Sequence, residues 1–228
     1  MVMLSGVSQS CPFAHHPAKE VMAAHSLTSE HYKGVCPHLE ALSNEGILPK
    51  NGIVTSNQLK QVLGNRFGST VTSLLVTGAS RQLAEGDLDR PFHLKQTEKL
   101  SVVHRGALNR RYDNLREIDG AMQAFAKNHP DGCTIKEFAR FQSQRLKEEK
   151  ASPREAAIGW VETALFHLAY NADKTRFSGD TLNALANRKL TPKQRELMSQ
   201  ESKNKIQMWQ VTASAVRLRL AACGAKRI

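Results

Sequence analysis

The chain has 228 residues, 40% of them hydrophobic, and a formal net charge of +11 at pH 7, with a pI near 9.7 and a mean hydropathy of −0.43. That length suits one good-sized core, and the absence of a run of about 18 apolar residues argues against a membrane-spanning protein. The basic excess would attract phosphate, anionic lipid or acidic partners, but the lysines and arginines are scattered and form no recognition helix, so neither specific nucleic-acid binding nor a membrane role is expected.

Residues 1–33 read as a polar extension preceding a single domain over residues 34–228. The opening "MVMLSGVSQSCPFAHH" lacks the basic region and sustained apolar stretch of a secretory signal, which points to the cytoplasm, or to secretion if the chain is a processed form. Cys11, His15, His16, His25 and His31 lie in this stretch, and "HHPAKEVMAAHS" could form a short helix. A Cys-x-x-x-His spacing can bind a metal, but it matches no zinc finger or ribbon. The four cysteines, Cys11, Cys36, Cys133 and Cys223, contain no C-x-x-C pair, so free thiols are expected rather than a disulfide framework.

"GVCPHLEALSNEGILPKNG", residues 34–52, places Cys36 directly before Pro37 at the start of a short amphipathic helix closed by glycine. Two readings of Cys36 stay open on local grounds. It is a small buried hydrophobe, or it is a cap residue whose sulfur lies near the positive end of the helix dipole, where thiolate is favoured for metal ligation or nucleophilic attack. His38 is close in sequence but projects from the first helical turn, which gives little support to a Cys-His catalytic pair.

From Thr55 the apolar period becomes helical, with Leu59, Val62 and Leu63, a break near Gly64 to Gly68, and then Val71, Leu74 and Leu75. "EGDLDRPFHL" is a loop. A helix on Leu115, Ile118, Met122 and Phe125 must stop at Pro130, and Thr134 with Glu137 forms a capping box for the next. Ser152, Pro153 and Glu155 are favoured first-turn residues of a helix reaching about Tyr170. A short helix carries Leu182 and Leu185, and a long one is expected from Pro192 to about Ala222, with Ile206, Trp209, Val216 and Leu220 covering the core or meeting a partner. Strand signals are nearly absent, and no internal repeat is visible. The fold class is all-α, a single-domain bundle of roughly seven to nine helices.

Glu162 is the second chemical oddity. Its neighbours three and four positions away are Ile158, Gly159, Leu165 and Phe166, so a carboxyl projects from an apolar helix face. Such a group is paired, or its pKa rises toward the range of a general acid-base; a misjudged helix boundary is the other explanation.

At this point the opening segment resembles the haem-thiolate peroxidase family, the chloroperoxidase and fungal peroxygenase group. Its proximal segment reads roughly P-C-P-x-L-N-x-L-A-N-H-G-[FYI]-[LI]-P-x-x-G. Cys36, Pro37, Leu39, Ala41, Leu42, Asn44, Gly46, Leu48, Pro49 and Gly52 fit in register without a gap, while Val35, Glu40, Ser43 and Glu45 depart from it. The resemblance implies an all-helical fold enclosing haem b, with Cys36 as the thiolate ligand of the iron and Pro37 beside it. A second family segment, E-H-D-x-S-[FL]-S-R-x-D, is similar to the stretch from Val103 to Arg110, where His104, Leu108 and Arg110 survive. The family's cation ligands there are replaced by Val103 and Ala107, so no magnesium or manganese is expected. Arg105 or Arg110 could neutralise the haem propionate directly. A third segment, V-E-S-G-F, looks like Val161 to Leu165 and implies Glu162 as the distal acid-base carboxyl, with His104 as a neighbour that positions it or a propionate.

Together these imply an oxidoreductase that uses hydrogen peroxide to oxidise a small organic substrate. The alternative is a haem-binding or relic family member without turnover, acting as an interaction protein.

Overall fold

Helix entrances set much of this architecture, and several are legible residue by residue. The structure, a computed structural model, describes residues 33–34, 36–99, 115–170 and 175–224, all of which fall within the unit His31–Ile228. Nine α-helices lie among the described residues: α1 Pro37–Asn44, α2 Ser56–Gly64, α3 Ser69–Leu83, α4 Leu115–Asn128, α5 Ile135–Glu148, α6 Pro153–Tyr170, α7 Gly179–Ala186, α8 Pro192–Ser199 and α9 Met208–Ala222. The all-α expectation holds.

Thr55, Thr134 and Thr191 each accept the N–H three residues on, and Gln58, Glu137 and Gln194 return the bond, so α2, α5 and α8 all open on capping boxes. Ser152 and Glu155 exchange the same pair of bonds at α6. α1 ends in a Schellman motif: Ile47 N–H donates to the Leu42 carbonyl at 2.9 Å and Gly46 N–H to that of Ser43 at 3.0 Å. Gly46 takes the left-handed conformation this motif needs, with φ +72°.

Four two-residue strands join the helices: β1 Ile53–Val54, β2 Phe92–His93, β3 Cys133–Thr134 and β4 Arg176–Phe177. β1 pairs antiparallel with β2 and β3 with β4. Each of β1, β3 and β4 leads directly into a helix, so a helix–strand–helix arrangement recurs along the chain. The β3–β4 pair is drawn tight by glycines. A Cβ on Gly132 would lie 2.2 Å from the Phe177 carbonyl oxygen, and one on Gly179 only 1.7 Å from that of Pro130.

The core gathers Leu42, Phe138, Phe177, Leu182, Met198 and Leu218, all fully buried. Phe138 stacks on Phe177 with ring centroids 4.2 Å apart. α9 packs across α5 and α6, and α1 rests against α7. Inside, Gln142 of α5 donates to the Gly159 carbonyl at 2.8 Å and accepts from the Thr163 hydroxyl at 2.6 Å, satisfying buried polar groups between α5 and α6.

Two expectations are corrected. The long helix from Pro192 is interrupted, because Ile206 leaves helical geometry to form a parallel bridge with Phe67, where Gly68 N–H donates to the Ile206 carbonyl at 2.8 Å. On α3 the core face is Val71 and Val76, while Leu74 and Leu75 are exposed.

Candidate functional site

Cys36 stands at the N-cap of α1 in extended geometry, φ −78° and ψ 114°, with Pro37 as the first helical residue. Its carbonyl accepts the first intrahelical bond, from Glu40 N–H at 3.1 Å. The free thiol is half-buried. Its sulfur makes no capping hydrogen bond, yet the nearby N–H groups of Leu39 and His38, with the Arg188 cation, act to lower its pKa. Burial, and after it the Glu162 carboxylate, outweigh them and push the thiol up to about 12. The protein alone therefore holds Cys36 protonated at neutral pH.

α6 delivers the facing groups. Glu162 is half-buried on it, close enough for its charge to act on the Cys36 sulfur. About two turns further along, the Tyr170 hydroxyl shares a hydrogen bond with Nδ1 of His38. Burial pushes His38 down to about 4. Burial, then the neighbouring Cys36 thiol, pushes Tyr170 well above its ordinary value against the pull of Arg66. The Tyr170–His38 pair is thus neutral, and the imidazole is engaged there instead of serving Cys36 as a base. Sequence reasoning missed Tyr170, Arg66 and Arg188; nothing local marks them, because each reaches α1 or α6 from a distant segment.

Three departures from the family's proximal pattern have partners here. Glu40 is buried and faces Arg188, with Oε2 4.0 Å from Nε, and its Oε2 also accepts the Gly34 N–H at 3.4 Å. Glu45 pairs with Arg195 and accepts the Leu190 N–H at 3.3 Å. Ser43 donates to the Pro49 carbonyl at 2.8 Å. Asn44, which fits the pattern, donates to the Arg188 carbonyl at 2.9 Å.

Residues 25–210 match the model of the family described as Peroxidase, family 2. The chain belongs to this family. Membership makes it a peroxidase-type oxidoreductase, a class that consumes hydrogen peroxide with a small substrate. No curated protein matches the chain.

Of the residues singled out for this peroxidase by sequence, Cys36, Pro37 and Glu162 are described, and the structure brings Cys36 and Glu162 into one electrostatic environment. His104, Arg105 and Arg110 lie outside the described residues, as do Cys11, His15, His16, His25 and His31. Among the described residues no group of three or more His, Cys, Asp or Glu could hold a metal ion. A cavity of about 540 Å³ opens beside Tyr170, lined also by Asp131, Arg176, Asp180, Thr181 and Lys193.

Proposed function

We propose that this peroxidase is a haem-thiolate enzyme, oxidising a small organic substrate with hydrogen peroxide by peroxidation or oxygen insertion. Cys36 is its proximal iron ligand and Glu162 its distal acid-base group. What supports the reading is the match to the peroxidase family together with the place of Cys36 at the N-cap of α1 directly before Pro37; the Glu162 carboxylate on α6 adds to the upward push on the Cys36 thiol.

Cys36 offers the sulfur donor such a group takes, while the cavity beside Tyr170 is lined by neither Cys36 nor Glu162. A metal cation against the sulfur would reverse the balance that keeps Cys36 protonated, because coordination would draw off the thiol proton, and the Leu39 and His38 N–H groups would stabilise the anion. When bound, haem supplies the redox chemistry of peroxide cleavage, which a thiolate ligand promotes by pushing electron density onto the iron. Glu162 takes the proton from one peroxide oxygen and returns it to the departing oxygen. The Tyr170–His38 bond fixes the first turn of α1, and Arg188 and Arg195 hold the helix from its far end. By the resemblance, His104 positions Glu162 or a propionate, and Arg105 or Arg110 neutralises a propionate without magnesium or manganese.

The test is spectroscopic. Carbon monoxide added to the reduced, haem-loaded protein should give the strongly red-shifted Soret band of thiolate ligation, and Cys36→Ala should abolish it; an unchanged spectrum in the variant refutes the assignment. Glu162→Gln should retain haem and slow peroxide cleavage about a hundredfold or more, and an undiminished rate removes Glu162 from the mechanism. A protein that takes up haem but oxidises no phenolic dye with peroxide is the binding module instead.

A further inference from the structure

Six large apolar side chains are exposed among the described residues, and three of them sit on α9: Trp209 at 71%, Val216 at 53% and Leu220 at 40%. With Ala213, also exposed, they recur at spacings of four, three and four, which on a helix makes one straight stripe. The core-facing stripe of the same helix is Val211, Ala215 and Leu218, all buried, so α9 is apolar on two sides and only one of them is covered by the core. Arg217 and Arg219 flank the open stripe and are exposed.

The sequence that runs through this helix carries charge of one sign. From residue 202 onward the sequence carries Lys203, Lys205, Arg217, Arg219, Lys226 and Arg227 and no Asp or Glu. Lys205 is engaged by Glu201 at 2.6 Å. The family match ends at residue 210, so most of this surface lies outside the residues that match the family.

We propose that the outer face of α9 is a docking surface for an anionic lipid bilayer, lying in the interface plane with Trp209, Val216 and Leu220 inserted at the headgroup level and Arg217 and Arg219 on the acidic headgroups. A helix with an apolar stripe bordered by arginine and no acid has the chemistry of an interfacial helix, and tryptophan prefers that depth. No helix among the described residues is long and apolar enough to cross a membrane, and lying on one needs no such length. A second copy is a poorer occupant, because pairing the stripes would bring four arginines together. Nucleic acid would use the arginines and leave the aliphatic residues without a role. The inference is independent of the proposed haem chemistry.

The experiment is co-sedimentation of the full chain with vesicles of phosphatidylcholine mixed with phosphatidylglycerol, against pure phosphatidylcholine. Binding to the mixed vesicles alone is expected, with a blue shift of tryptophan emission that comes from Trp209, since the other tryptophan, Trp160, is only 7% exposed. Arg217→Gln with Arg219→Gln should lower partitioning about thirtyfold, and Trp209→Ser with Leu220→Ser at least about tenfold, both leaving peroxide-dependent turnover unchanged. Absence of co-sedimentation, equal binding to both lipids, or a concentration-dependent dimer that the Trp209→Ser, Leu220→Ser protein no longer forms overturns the proposal. The emission shift needs no variant, so it decides the case even where a variant misfolds.

Discussion

At Arg188 two demands meet in one residue. It is the residue just past the end of α7 in a Schellman motif, where Lys189 N–H donates to the Ala184 carbonyl at 2.9 Å, and it takes φ +54°, a conformation that glycine would adopt without strain. The site keeps a long cation instead, because Glu40 is buried opposite it. Arg188→Leu is expected to cost about 3 kcal/mol in urea unfolding, since it removes the cation facing a buried carboxylate, and Glu40→Leu added to it should recover most of that loss.

His38 gives a pH test at the same scale. Its value falls from 6.5 to about 4 on folding, so between those limits the unfolded chain binds the extra proton. Stability is therefore full above about pH 6.5 and lost as pH falls toward 4, by up to about 3 kcal/mol; His38→Gln should flatten this part of the urea-midpoint profile. The departures Glu40, Ser43 and Glu45 are visible in the sequence as departures. For Glu40 and Glu45 their compensation is not, because Arg188 and Arg195 are adjacent only after folding.

Among the elements, those with a local signal were readable. Capping residues and the 3.6-residue period locate α2, α5, α6 and α7 closely, since each of these helices is specified by its own side chains. Two-residue strands carry no alternation to detect, and the interruption before α9 has no proline or glycine to announce it; Ile206 is drawn out by Phe67, a tertiary effect. Leu74 and Leu75 mislead for a similar reason: they continue a plausible helical period, but the packing uses the face bearing Val71 and Val76. The tight β3–β4 crossing offers a direct check. Gly179→Ala sets a methyl group against the Pro130 carbonyl, a backbone atom that no side-chain rotation can move away, and should lower stability by about 3 kcal/mol or more in thermal unfolding.

For the whole molecule, long-range polar contacts tie distant segments together. Arg66, between α2 and α3, donates to the carbonyls of Ala169 at 3.2 Å and Leu168 at 3.5 Å, satisfying the end of α6, and to the Ser202 hydroxyl at 3.4 Å. Arg66→Ala should cost about 2 kcal/mol by chemical denaturation, whereas an exposed charge such as Lys60 replaced by alanine should change little. The proximal segment of the candidate site was legible because its residues are contiguous; the Tyr170–His38 pair joins positions far apart in the chain, beyond the reach of any local pattern. The same geometry bears on assembly. α1 is synthesised before its anchors, because the contacts of Arg188 with Asn44 and of Arg195 with Glu45 bridge 144 and 150 residues. The sulfur at its tip thus acquires its final surroundings only once the segment bearing Arg188 and Arg195 has been synthesised, and a prosthetic group offered to the nascent chain before then would find no finished seat.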